Sequence, residues 1–304
     1  MSAISTASNM FSLLGLDQLL PLAKRLGLAI SDPQQAAQLE QILFELAKNL
    51  TPNTSGVVIS PEIGYQTVLQ KAAATGPIFC LERRLIDPDP LTIPLLMSNW
   101  NVETVRQNYG VAKLELFYSA NEAEAATKRQ MVAEIADYCR QQEIDFLLEL
   151  VVVVGSDQKD NQAVFQHTQL EAIQDLRKYC SVLALQYPLD ALGAVTVTAE
   201  LDVPWILSAR STPYEEFKEQ LRTALESGAT GFLAAEQFLP ALQPNQNFSL
   251  EAVQKFIRTT GTDRAIELER ILTETTKSPK TWDFFALTKS QYIWRFDCWL
   301  FVVY

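Results

Sequence analysis

Val111-Ala112-Lys113-Leu114-Glu115-Leu116-Phe117-Tyr118 reads as a β-strand with two charged residues in it. Period-2 alternation puts Lys113 and Glu115 on one face and Ala112, Leu114 and Leu116 on the other. Strands disfavour a mid-run lysine unless that face is wet or the amine has a partner. A second run about thirty residues on, Phe146-Leu147-Leu148-Glu149-Leu150-Val151-Val152-Val153, is almost wholly apolar and carries one carboxylate. A strand buried on both faces with one ionisable group is how a barrel enzyme presents a catalytic residue. An inward ion pair between neighbouring strands is the plainer reading of the same two runs.

Working outward, apolar runs alternate with amphipathic segments, the pattern of a parallel α/β architecture. Candidate strands are Gly56–Ser60, Ile78–Glu82, Val111–Tyr118, Asp145–Val153, Val182–Tyr187, Pro204–Ser208 and Gly231–Ala235. Phe11–Asp17 is either an eighth strand or the opening of a helix. Ala120–Gln142, Gln162–Lys178 and Pro213–Ser227 read as helices, the last bounded by Pro213 and Gly228. No GxGxxG follows the early strands and no GxxxxGK[ST] occurs, so a (β/α)8 barrel fits better than an open nucleotide-binding sheet. Residues 1–278 suffice for one such barrel, and 279–304 form an aromatic-rich C-terminal extension. Leu85–Pro94, with its Asp-Pro repeats, reads as a rigid loop on the barrel's active face.

Composition excludes several functions. A net charge of −11 argues against nucleic-acid or anionic-membrane partners. No apolar stretch reaches the ~18 residues of a membrane helix, and no secretory signal opens the chain. The four cysteines form no CxxC pair, which makes a reducing, cytoplasmic setting the expectation and a zinc site unexpected. His167 is the sole histidine and reads as a surface residue. Asp157, Asp160 and Asn161 are interrupted by Lys159, so no metal is expected there, and no cofactor is expected at all. The aromatic tail suggests terminal packing first, and a homo-oligomer or protein-partner surface second.

The order of these motifs resembles the tagatose-bisphosphate aldolase branch of the class I aldolases. Phe11-Ser12-Leu13-Leu14-Gly15-Leu16-Asp17-Gln18 resembles a first strand ending in Asp-Gln-Arg-Gly. Leu50-Thr51-Pro52 and Val57-Val58-Ile59-Ser60-Pro61-Glu62-Ile63-Gly64-Tyr65 resemble its Leu-Thr-Pro and Leu-Asp-Pro-Glu-Tyr-Gly pair. Glu82 falls where a third strand ends in glutamate, Lys113 on a pocket lysine, and Glu149 on a pocket acid. The resemblance runs from about Phe11 to Leu242 and implies an aldolase-type (β/α)8 barrel acting on a small sugar or sugar phosphate. In that chemistry a lysine amine attacks a ketose carbonyl and a carboxylate shuttles protons.

The chain departs from the pattern at critical positions. A stretch resembling Val-Leu-Lys-Val-Glu-Tyr-Pro should carry the Schiff-base lysine; here it reads Val182-Leu183-Ala184-Leu185-Gln186-Tyr187-Pro188. The resemblance thus puts Ala184 at the nucleophile and Gln186 at its acidic neighbour. Leu-Ser-Ala-Gly becomes Leu207-Ser208-Ala209-Arg210, and a phosphate-gripping Gly-Arg becomes Ala235-Glu236. The expectation is a diverged barrel that acts on or binds a small sugar or keto-acid metabolite, with ordinary bisphosphate aldolase activity lost. The alternative is a non-catalytic binding, regulatory or scaffold protein. Asp17, Glu82, Lys113 and Glu149 are the expected catalytic or charged cluster, and Ser208, Arg210 and Gln186 the expected substrate contacts. Glu115 reads as an ion-pair partner or a solvated residue at the barrel's edge.

Overall fold

The computed structural model of the protein describes residues 3–277 apart from 64, 88, 156–160 and 242–248. The proposed extension 279–304, with its partner surface, and the Asp157–Asp160 loop lie outside the described residues.

Eight parallel strands close into a barrel in chain order, the first pairing with the eighth. They are β1 (Phe11–Gly15), β2 (Gly56–Ile59), β3 (Gly76–Cys80), β4 (Val111–Tyr118), β5 (Phe146–Val152), β6 (Val182–Leu185), β7 (Trp205–Ser208) and β8 (Gly231–Ala234). The helices are α1 (Leu19–Arg25), α2 (Pro33–Leu50), α3 (Val102–Gln107), α4 (Ala125–Gln141), α5 (Gln162–Leu176), α6 (Ala191–Glu200), α7 (Tyr214–Glu226), α8 (Leu250–Phe256) and α9 (Thr262–Lys277). A 3-10 segment, Tyr65–Gln70, connects β2 to β3. Helix starts follow local chemistry: the Asp32, Asn101, Asn161, Asp190 and Ser249 side chains accept from backbone N–H groups of the turns they open. Among the described residues no helix is long and apolar enough to cross a membrane.

The (β/α)8 architecture agrees with the pattern read from the sequence, and the ambiguous Phe11 segment is a strand. Phe11–Leu14 pair with β8 while Leu13–Gly15 pair with β2, so the segment closes the barrel. Several boundaries differ from expectation, among them the end of β6, which stops at Leu185 and not Tyr187. The ladder of β3 ends at Cys80; Glu82 forms an isolated antiparallel bridge with Leu96, folding the long following loop back over the barrel mouth. Helix α4 begins at Ala125 because a turn, with Glu122 N–H donating to the Ser119 carbonyl, precedes it. Buried Lys128 on α4 then donates to the carbonyls of Pro90 and Phe117, pinning the mouth loop to β4.

Two apolar layers follow from the alternation. Ala112, Leu114 and Leu116 of β4 face outward into the core between strands and helices. Val111 joins Phe11, Leu13, Val58, Ile78, Leu147, Val182, Ala184, Ile206 and Leu233 inside the barrel. Ile4, fully buried, belongs to this inner layer. Room for it depends on glycine: a Cβ on Gly76 would stand 1.9 Å from the Ala3 carbonyl oxygen, and one on Gly56 3.3 Å from the Ile4 Cβ. Shortening Ile4→Ala should therefore destabilise the fold by about 2–4 kcal/mol through an unfilled cavity. Urea denaturation checks this, and an unchanged midpoint would mean that the segment does not plug the barrel.

Candidate functional site

The inward residues toward the carboxyl ends of β4 and β5 are charged. β4 and β5 pair in register with Glu115 opposite Glu149, two like charges side by side in the interior. Cations resolve this. Arg210, just past β7, forms an ion pair with Glu115 and lies 3.6 Å from Glu149. Arg84, in the loop after β3, pairs with Glu115 from the other side, approaches Glu82 Oε1 to 3.2 Å, and donates from Nε to the Asp17 carbonyl oxygen at 3.1 Å. Lys113 Nζ lies 2.7 Å from Asp17 Oδ2 and 2.7 Å from Glu149 Oε2. Ser208 Oγ donates to Glu149 Oε1 at 2.7 Å. With Arg84 Nε 3.8 Å from Asp17 Oδ2, the groups close a ring of alternating sign: Asp17, Lys113, Glu149, Arg210, Glu115, Arg84.

Glu82 is a fourth carboxylate attached to this neutral ring. Its Oε1 accepts from the Glu115 backbone N–H at 3.2 Å as well as from Arg84. Its Oε2 is buried and has no hydrogen-bond partner. Burial pushes the Glu82 carboxyl up to about 7 against the pull of Lys113 and Arg84. For Lys113, burial favours the neutral amine, but the Asp17 and Glu149 carboxylates outweigh it and hold the amine above its ordinary range. Burial likewise disfavours charge on Glu115, yet Arg84 and Arg210 hold its carboxyl well below the usual range.

Above the ring opens a cavity of about 760 Å³. Glu82, Arg84, Glu115 and Arg210 reach its wall, joined at the rim by Arg25 and Glu236. Asp17, Lys113, Glu149 and Ser208 do not; they lie beneath the two guanidinium groups, and Lys113 and Glu149 are fully buried. The structure thus gathers Asp17, Glu82, Lys113 and Glu149 into one cluster. Gln186 is elsewhere: its Oε1 accepts from the Val152 N–H at the end of β5. Ala184 neighbours Glu149 in register and offers only a methyl group. Glu236 is tied to Arg25 at 3.2 Å and accepts from Ser211 Oγ at 3.1 Å.

Arg84 escaped the reading of the sequence. The signal was present: it has the same strand parity as Glu82, and an inward Glu115 demands a cation. Arg210 has a backbone φ of +45°, left-handed geometry that glycine adopts freely and arginine at a cost of order 1 kcal/mol. This bend follows β7 where the resembled pattern carries glycine. Asp17, Cys80 and Glu82 bring ligand-type atoms within 4.8 Å of one another. Lys113 already pairs with Asp17, and burial pushes the Glu82 carboxyl up to about 7 and the Cys80 thiol well above its ordinary range. The trio therefore lacks the surplus of anionic donors that draws a cation.

The chain resembles tagatose 1,6-diphosphate aldolases in sequence. It is 24% identical over 279 residues to tagatose 1,6-diphosphate aldolase 1 of Enterococcus faecalis, covering 80% of this chain and 85% of that protein. It is 22% identical over 314 aligned positions to tagatose 1,6-diphosphate aldolase 2 of Streptococcus mutans, covering 92% and 95%. Among solved structures, an archaeal fructose-1,6-bisphosphate aldolase, captured with its catalytic lysine bound to the carbinolamine intermediate, superposes with a TM-score of 0.61 at 16% identity. That match covers 88% of this chain and 96% of the other. Fructose-bisphosphate aldolase from Slackia heliotrinireducens gives 0.58 at 14% identity, covering 86% and 85%. These structural likenesses concern the fold. No family model matches the chain.

The raised Glu82 carboxyl makes stability depend on pH in a defined direction. A carboxyl near 7 in the folded chain, against an ordinary 4.5, stabilises the fold while neutral and loses that contribution as the pH climbs through 7. Glu82→Gln keeps the neutral shape at every pH. The variant should match the wild type near pH 4 and exceed it by up to about 3 kcal/mol above pH 8. Urea midpoints at the two pH values measure this; parallel pH curves for the two proteins would contradict it.

Proposed function

We propose that this protein is a diverged, class I aldolase-like barrel that binds a small sugar or keto-acid metabolite at its mouth and has lost Schiff-base cleavage of sugar bisphosphates. The observation that carries the reading is the state of Lys113. Schiff-base formation needs a neutral amine with a free lone pair and access to a carbonyl carbon. Lys113 has neither: its ammonium is clamped between Asp17 and Glu149 and is fully buried under Arg84 and Arg210. Among the described residues the other fully buried lysine, Lys128, donates to two backbone carbonyls and sits 3.0 Å from Glu122, outside the cavity lining. The sixth strand offers Ala184 at the position that the resemblance gives to the nucleophile.

The mouth supports binding. Its volume is in the ordinary range for small-ligand sites, and its wall alternates apolar surface from Phe117, Ile86 and Ile93 with fixed charges. Asp17, Lys113, Glu149 and Ser208 then serve as the charged floor that fixes Arg210, while Arg210 and Glu82 meet the ligand.

Borohydride trapping tests the loss of Schiff-base chemistry. Incubation with fructose 1,6-bisphosphate or tagatose 1,6-bisphosphate and sodium borohydride up to pH 9 should leave the intact mass unchanged. A reduced adduct mapped to Lys113 by peptide mass spectrometry would overturn the proposal.

A further inference from the structure

Glu236 stands just past β8, and its carboxylate is gripped as a bound anion would be. It opens a 3-10 turn, Glu236–Phe238, on the cavity wall and is 6% exposed. Arg25, from the last turn of α1, donates from Nη1 to Oε2 at 3.2 Å. Ser211, in the turn after β7, donates from Oγ to Oε1 at 3.1 Å. Both carboxylate oxygens are thus engaged, by donors that come from separate parts of the fold. A guanidinium and a hydroxyl converging on one point make a seat for an anion, and the chain itself supplies the anion.

The donors are within reach of a guest. The Arg25 side chain is 24% exposed, Ser211 is exposed, and both line the cavity. What they lack is free capacity. Arg25 gives its other terminal nitrogen, Nη2, to the Leu239 carbonyl at 3.5 Å, and its Nε is buried without a partner. Lys24, one residue earlier on α1, also lines the cavity; it is exposed and among the described residues has no ion pair. A solvated lysine on a flexible stem attracts an anion weakly and fixes no geometry. A phosphate or carboxylate at this rim therefore meets Lys24 but finds Arg25 and Ser211 taken. To reach them it must push Glu236 aside and strip a nearly buried carboxylate of both partners. With that carboxylate removed, Arg25, Ser211 and Lys24 would share one edge of the cavity with no anion between them.

We propose that the Glu236 carboxylate is the built-in occupant of an anion seat made by Arg25 and Ser211 beside Lys24, and that it sets the mouth's specificity against ligands carrying a phosphate or carboxylate at that end. The seat itself is defined by Glu236 and its donors. Only its meaning for ligand choice rests on the metabolite-binding reading above, which it narrows to compounds that are uncharged on the α1 side.

Inorganic phosphate titrated into the full chain tests this, by calorimetry and by melting temperature against chloride at equal ionic strength. The wild type should show no saturable binding below about 10 mM, as expected of one solvated lysine. Glu236→Ala should bind phosphate at least about tenfold more tightly, and phosphate should raise its melting temperature where chloride does not. Adding Arg25→Gln should return binding to the wild-type level, and adding Lys24→Ala should weaken it only in part. Where Glu236→Ala folds poorly in chloride, phosphate should restore its circular dichroism, and Glu236→Gln, which keeps the shape without the charge, should still bind phosphate more tightly than the wild type. A folded Glu236→Ala or Glu236→Gln protein that takes up phosphate no better than the wild type would overturn the inference. Wild-type binding as tight as that of Glu236→Ala would overturn it too, and its loss in Lys24→Ala would name Lys24 as the anion site in place of the seat. D-fructose titrated into the same proteins reports on the metabolite-binding reading separately. Ketose binding without a phosphate gain keeps that reading and removes the seat; a phosphate gain without ketose binding does the reverse.

Discussion

The register that sets Glu115 beside Glu149 is the constraint from which the upper half of the barrel follows. Two carboxylates on adjacent inward positions cannot stay ionised in a dry interior without cations between and around them. Arg210 separates them, Arg84 flanks the first and Lys113 the second, and Asp17 on the opposite wall joins Arg84 to Lys113. Each charge has an opposite charge on both sides, so no member carries its desolvation cost alone. Removing any one leaves two buried neighbours of one sign, which is far more destabilising than the pairwise attraction alone suggests. Below the ring the interior is apolar, from Ile4 through Leu147 and Val182 to Leu233. The barrel is thus a greasy plug capped by a salt lattice.

The lattice decides what the mouth presents. Arg84 and Arg210 face the cavity from above but spend their charge on Glu115. Lys113 spends its ammonium on Asp17 and Glu149. The strained backbone at Arg210 belongs to the same design: a left-handed residue directly after β7 returns a long side chain over the strand ends. The loop after β3 completes the rim, held by its bridge to Glu82 and by Lys128 beneath Pro90.

How much of this was legible in the sequence depended on whether a residue's partner was local. The alternation in Val111–Tyr118 fixed which way Lys113 and Glu115 point, because a strand's faces are set by its own backbone. The apolar Phe11 run could not distinguish strand from helix on its own; the edges of β2 and β8, far away in sequence, decide it. Glu115 stood open between ion-pair partner and solvated residue, since both arginines that claim it come from loops. Arg84 went unnoticed because its main partner, Glu115, lies about thirty residues away on β4, and only parity with nearby Glu82 hints at it. Gln186 matched the resemblance by position, yet it lies past the end of β6, where the chain turns out and its amide satisfies the Val152 N–H instead of facing the cavity.

A buried lysine can be made tolerable in two ways, and they exclude each other. It can lose its proton, which leaves a nucleophile and spares the interior a charge. Or it can keep the proton and be matched by carboxylates, which gives stability and removes the lone pair. Distance tells which has happened here: two carboxylate oxygens at 2.7 Å hold the ammonium from two sides, and both belong to the lattice that settles Glu115 and Glu149. Freeing the Lys113 amine would require weakening Asp17 or Glu149, and either change opens the ring at its most buried point. Reactivity at this lysine and integrity of the ring are therefore alternatives.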